Sequence, residues 1–120
     1  DGYIYITDRM KDMIVTGAEN VYSIEVENAL GLHPAVRECA VIGIPDERWG
    51  ERVHAIIVPL AQAPSESDLL DYLRERLARY KCPKTWEFRS DLLPRSPAGK
   101  ILKAELREPY WSGHTRAISA

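Results

Sequence analysis

Hydrophobic and polar positions change their period several times along the chain, and each change predicts an element. Gly2–Ile6 (GYIYI) alternates aromatic and β-branched residues, as a short strand does. A charged patch, Asp8-Arg9-Met10-Lys11-Asp12, interrupts it, and Met13–Thr16 (MIVT) resumes strand character before Gly17. The helical spacing of Val26, Ala29 and Leu30 predicts a helix over Ile24–Leu32, with Ser23 as its N-cap and Glu25 and Asn28 facing outward. Pro34 cannot continue that hydrogen-bond ladder. Val36–Ile44 (VRECAVIGI) and Arg52–Leu60 (RVHAIIVPL) are the two strongest strand patterns, separated at Pro45–Gly50 by a loop that carries Trp49. Ser65, three residues before Asp68, is expected to cap a helix over Glu66–Ala78 whose Leu69, Leu70, Leu73 and Leu77 share a face. Thr85–Phe88 reads as a further strand. Pro94, Pro97 and Gly99 mark an extended loop, Ile101–Leu106 a short amphipathic helix, and Glu108–Ala120 a tail with Tyr110 and Trp111 laid on the surface. The order β-β-α-β-β-α-β-loop-α predicts an α+β fold: a small compact domain with a three-stranded sheet flanked by helices, plus a short N-terminal β-hairpin.

Composition narrows the range of functions. The chain has 120 residues, 45% hydrophobic and 28% charged, which describes one folded domain. A chain of this size buries roughly 65% of its unfolded surface, enough for a core without covalent staples. Sixteen basic and eighteen acidic residues leave a net charge of −2, which argues against nucleic acid or an anionic membrane as principal partner. Cys39 and Cys82 form no CxxC or Cys/His cluster, and His33, His54 and His114 are scattered, so no metal ligand set is expected. No apolar run reaches the roughly 18 residues of a membrane span, and no signal peptide opens the chain. A cytoplasmic, reduced chain is the expectation. The first residue is Asp and stands within a strand-like pattern, as in a piece of a longer protein.

Three segments offer chemistry. In Pro94–Lys100 (PRSPAGK), Lys100 rides on a loop stiffened by two prolines, a cation suited to a phosphate or carboxylate. The segment is not a Walker A loop, because Pro94 and Ile101 replace the glycine and the magnesium-binding hydroxyl. By spacing alone, an ordinary solvated lysine is the simpler reading. Asp8–Asn20 is either a hairpin with a charged tip or a hinge whose few residues absorb a large backbone change. Trp49 either folds back on the core or offers an apolar face to a ligand, with Arg48 or Arg52 as neighbouring phosphate partners. The carboxylates Asp46, Glu47 and Glu51 alternate with arginines as in solvated ion pairs, and no nucleophilic triad stands out.

Taken together and in this order, four stretches resemble the C-terminal domain of the adenylate-forming superfamily, most closely that of acyl-CoA synthetases of the fatty-acid–CoA ligase type. They are DGYIYITDRMKDMIVTGAENVYSIEVENAL, HPAVRECAVIGIPDERWGERVHAIIV, LRERLARYKCPK and LPRSPAGKILKAELR. The resemblance spans about residues 1–107. It divides the chain into residues 1–11 as a hinge-proximal strand and hinge, 12–107 as the C-terminal domain, and 108–120 as a C-terminal tail.

The resemblance implies an AMP-forming acid–CoA ligase. ATP and a carboxylic acid give an acyl-adenylate, with magnesium on the phosphates; the domain then rotates and the thiol of CoA takes the acyl group. Lys100 matches the adenylation lysine, Arg9 an arginine on the nucleotide's ribose, and Lys11 a nucleotide-side position that is also the hinge. Gly17, Ala18 and Glu19 match the loop that walls the pantetheine tunnel, and Trp49 an aromatic residue packed on pantetheine. Ala18 departs from the family's second glycine, and Val15 from the nucleotide-contacting lysine of plant-type aryl ligases. Most of the ATP and magnesium site and all of the acid pocket belong to the N-terminal domain of the same chain, so residues 1–120 alone are expected to be inert. The alternative within the resemblance is the corresponding subdomain of a nonribosomal peptide synthetase, whose acceptor is a carrier-protein thiol.

Overall fold

The computed structural model describes residues 13–60 and 64–112. Strands β1 (Met13–Thr16) and β2 (Glu19–Tyr22) form an antiparallel hairpin, followed by helix α1 (Ser23–Gly31). Next come the long strands β3 (Val36–Asp46) and β4 (Gly50–Pro59), helix α2 (Glu66–Arg74), a 3-10 turn at Arg79–Lys81, β5 (Thr85–Phe88) and α3 (Lys103–Trp111). The strands make one sheet in the order β2-β1-β4-β3, with β5 parallel to β4. The expected α+β domain is therefore present: β3, β4 and β5 are its three-stranded centre, and the hairpin joins at Thr16↔Gly50.

The near-continuous apolar runs of β3 and β4 follow from burial on both faces of the sheet. Val41, Val53, Ala55 and Ile57 pack with Val26, Leu30, Leu69 and Leu73 under α1 and α2. Ala40, Ile42, Ile44, Ile56 and Val58 pack with Leu93 and Leu106 on the opposite face, under α3. A bulge between Val36 and Glu38 shifts the register, since these two residues face Pro59 and Val58 in turn. Val36 thereby joins the α1/α2 face, while Glu38 lies with Ala40 and Ile42 on the α3 face, an arrangement that simple alternation from Val36 to Glu38 forbids.

Several elements differ from the sequence pattern. β2 is absent from that pattern because Glu19–Tyr22 buries only Val21. The hairpin seen here is β1–β2; Gly2–Ile6 lies outside the described residues. Ser23 does not cap α1: Tyr22 holds the N-cap position, and Ser23, only 1% exposed, accepts a hydrogen bond from Lys103 Nζ at 3.0 Å. Ser65 does cap α2, accepting the Asp68 N–H at 3.0 Å. That helix ends at Arg74 rather than Ala78, because the Leu73 carbonyl takes the N–H groups of both Arg76 and Leu77 and tightens the last turn. β3 runs through Pro45 to Asp46; as an edge strand it tolerates a residue without an N–H. Ile101 bridges to Arg95 instead of starting the last helix, and α3 continues through Tyr110 and Trp111.

Candidate functional site

Lys100 stands on a small closed hairpin. Arg95 bridges Ile101, Leu102 N–H donates to the Pro94 carbonyl at 2.9 Å, and Ser96 N–H donates to the Lys100 carbonyl at 2.8 Å. Gly99 turns the tip at φ +89°, and its N–H donates to the Ser96 carbonyl at 2.8 Å. The lysine is exposed, and the loop beneath it is ordered by these backbone bonds and by the two prolines.

Gly17, Ala18 and Glu19 lie at the β1–β2 turn. Thr16 pairs with Glu19, so Gly17 and Ala18 are the two turn residues. Gly17 has φ +64° and Ala18 has no positive φ, the pattern of a type II′ turn with glycine first. The alanine at position 18 is therefore accommodated without strain. Trp49 sits directly on this turn. Its carbonyl accepts the Gly17 N–H at 2.8 Å, and a Cβ on Gly17 would come within 2.7 Å of the indole Cε3. Glycine is needed here for both space and backbone angle.

Trp49 remains 38% exposed, so it is not a core residue. The Arg48 guanidinium lies 4.9 Å and the Lys84 ammonium 4.8 Å from its ring centre, giving an aromatic face edged with two cations. Asp46 organises this corner by accepting the N–H groups of Arg48 at 2.8 Å and Trp49 at 2.9 Å. The Trp49 N–H, with help from that of Arg48 and the Arg52 charge, holds the Asp46 carboxyl below its usual range. Arg52 is engaged with Asp46 at 3.6 Å and the Pro45 carbonyl at 3.4 Å, whereas Arg48 lies against the ring.

The structure thus joins Gly17, Ala18, Glu19 and Trp49 in one cluster and holds Lys100 apart from them. The Lys100 hairpin is fastened near Glu38, at the start of the β3–β4 ladder, while the Trp49 cluster caps its other end beyond Asp46. Eight residues of strand separate Glu38 from Asp46, on the order of 25 Å at about 3.3 Å per residue. Arg9 and Lys11 lie outside the described residues. Among the described residues no group of three His, Cys, Asp or Glu side chains is placed to hold a metal ion.

Two groups of residues escaped the sequence reading. Glu38 and Arg95 tie the Lys100 hairpin to the sheet. Under α3, the buried ring of His54 meets Thr85 Oγ1 at 2.7 Å and the Tyr110 hydroxyl at 3.0 Å, and that hydroxyl donates to Glu87 at 2.5 Å. Burial pushes His54 below its ordinary value, against the pull of Glu87. Burial, reinforced by the Glu87 acceptor, pushes Tyr110 up to about 12. A histidine placed on a continuous apolar strand was the one available signal for this network.

The model of the AMP-binding enzyme C-terminal domain matches residues 25–100, and the chain belongs to that family. It is similar to the fatty acid–[acyl-carrier-protein] ligase ScoC of Streptomyces coeruleorubidus, with 49% identity over 99% of this chain and 23% of that protein. It is also similar to the long-chain-fatty-acid–CoA ligase FadD13 of Mycobacterium tuberculosis, at 52% identity over 92% of this chain and 22% of that protein. The solved Mycobacterium tuberculosis fatty acyl CoA synthetase superposes with a TM-score of 0.81 at 50% identity, over 87% of this chain and 20% of that one. The chain spans about a fifth of the length of the curated relatives it matches.

Proposed function

We propose that this chain is the mobile C-terminal domain of an ATP-dependent acyl-CoA synthetase, supplying Lys100 to adenylation and the Gly17–Glu19 turn with Trp49 to thioester formation. The observation that carries this reading is the separation of the two clusters at opposite ends of the β3–β4 ladder. A rigid domain with its two sets of site residues so far apart serves one reaction centre by presenting each end in turn. In the first step Lys100 neutralises charge that develops between the carboxylate and the α-phosphate of ATP, an electrostatic contribution rather than proton transfer. In the second, the indole face of Trp49 and the backbone of the Gly17 turn line the path of the thiol arm. Arg9, on the ribose, and Lys11, as nucleotide contact and pivot, complete the assignment by their match to the family motif. The division at residues 11 and 107, magnesium on phosphates held by the N-terminal part, and a cytoplasmic setting for the free thiols Cys39 and Cys82 belong to the same reading.

Full-length enzyme carrying Lys100→Ala tests it. Pyrophosphate release is expected to fall by roughly 10²–10³-fold, the scale of losing one preorganised charge, while thioester formation from supplied acyl-adenylate persists. Equal loss in both half-reactions would overturn the assignment. A second reading keeps both steps but gives the acyl group to a carrier-protein thiol, as the name of the ScoC relative and its match across 99% of the chain support. Offering CoA and a pantetheinylated carrier protein side by side decides between these acceptors.

A further inference from the structure

Glu38 stands on the α3 face of β3, in alternation with Ala40, Ile42 and Ile44. The bulge between Val36 and Glu38 sends Val36 to the α1/α2 face and leaves Glu38 on the face that carries the Lys100 hairpin. There the carboxylate is 10% exposed, and both of its oxygens are spent on the segment bearing Lys100. Oε2 accepts the Leu93 N–H at 2.7 Å, just before the hairpin, and Oε1 pairs with the Arg95 guanidinium. Arg95 passes the constraint on, donating from its other terminal nitrogen to the Gly99 carbonyl at 2.9 Å. Gly99 immediately precedes Lys100. The connection therefore runs from the sheet through Glu38 and Arg95 to the peptide group at the base of the lysine.

The hairpin closes through its own backbone bonds at Pro94–Leu102 and Ser96–Lys100. Glu38 and Arg95 are not required to form the turn; they set where the turn points. We propose that Glu38 and Arg95 are positioning residues for Lys100, a fixed strut that carries the lysine at a defined height and angle above β3. This rests on the adenylation role assigned to Lys100. A charge acting at a transition state depends steeply on placement, and a displacement of about 1 Å can cost on the order of 100-fold.

The test uses the full-length ligase with Glu38→Gln, Arg95→Ala, Arg95→Lys and Lys100→Ala, assaying each half-reaction beside a thermal melt. Arg95→Ala and Glu38→Gln are expected to lower kcat for adenylation by roughly 10- to 100-fold. The KM for ATP, thioester formation from supplied acyl-adenylate, and the melting temperature should stay close to those of the parent. Arg95→Lys should recover part of the loss, because it keeps the ion pair but not the fork to Gly99. Acting through Lys100, Arg95→Ala should add little further loss in the Lys100→Ala background. Parent-like adenylation in both Arg95→Ala and Glu38→Gln, with Lys100→Ala crippled, overturns the strut and leaves the role of Lys100 standing. Additive losses, or a fall in both half-reactions tracking a lowered melting temperature, also overturn it. Full adenylation by Lys100→Ala overturns both readings together.

Discussion

The two faces of the sheet are built differently. The face under α1 and α2 is closed mainly by hydrocarbon, from Ile14, Val21, Val26 and Leu30 through Val41 and Ile57 to Leu69 and Leu73, with polar contacts at its rim from Tyr72 to the Ala29 carbonyl and from Lys81 to Glu25. The face under α3 has a smaller apolar cluster ringed by directed polar contacts. Glu38 and Arg95 fasten the Lys100 hairpin, and Tyr110 links His54 to Glu87. The Trp111 indole N–H donates to the Gly43 carbonyl at 2.9 Å. Lys103 reaches round the edge of β3 to Glu27 at 2.6 Å, whose carboxylate also takes the Val41 N–H at 2.8 Å. Apolar burial has magnitude but little direction, whereas hydrogen bonds weaken steeply when misaligned. One face therefore holds the domain together, and the other aims the segment that carries the candidate catalytic lysine.

The contrast breaks most visibly in the apolar face. Leu73→Ala removes a fully buried side chain where α2 meets the sheet and should cost about 2–5 kcal/mol. Chemical denaturation reads this directly, and both half-reactions of the full-length enzyme should fall together with the folded fraction. A cost below about 1 kcal/mol would mean that this face is not the main source of stability.

An intermediate effect is expected from the polar face. Tyr110→Phe leaves buried His54 and half-buried Glu87 without their shared hydroxyl and should cost about 1–3 kcal/mol. The same cluster gives the domain a pH dependence with a definite sign. The folded state holds His54 below 6.5, so the unfolded chain takes up that proton first and stability declines as pH falls from about 6.5. Burial raises the Glu87 carboxyl, but hydrogen bonds from Tyr110 and Arg89 outweigh it and leave the group below 4.5. Its contribution is present above 4.5 and is lost as pH falls through the folded value, adding to the same acid limb. Tyr110 titrates at about 12 when folded against 10.0 unfolded, so stability also declines between those values as pH rises. Melting temperatures across the pH range should show both limbs. The alkaline one should flatten in Tyr110→Phe, and an unchanged alkaline limb would remove Tyr110 as its source.

The smallest effect belongs to the Trp49 corner, which neither face supports. Gly17→Ala adds a methyl group at φ +64° within 2.7 Å of the indole and should cost about 1 kcal/mol. In a Trp49→Ala background the steric part disappears and only the backbone part remains. Trp49→Ala alone, at an exposed site, should change stability by roughly 0.5 kcal/mol or less while raising the KM for the thiol substrate. Equal costs for Gly17→Ala in the two backgrounds would show that the ring does not press on the turn.

Local chemistry made much of this domain readable from the chain alone. The cores of β3 and β4, the whole of β5, the Ser65 cap and the apolar face of α2 follow from short-range spacing of side chains. Lys100, the Gly17 turn and Trp49 stand out as candidates because each lies within a contiguous motif. Other features depend on partners that spacing cannot reveal. Ser23 resembles a helix cap until Lys103, 80 residues away, claims its hydroxyl. Tyr110 resembles part of a surface tail until His54, 56 residues earlier, meets it beneath α3. Glu38 resembles a solvated strand residue until packing brings it to Leu93, 55 residues on. Periodicity along a chain records which faces are buried. Which polar groups meet across that burial is decided when the elements pack, because each such bond needs two groups far apart in sequence brought within about 3 Å at a favourable angle.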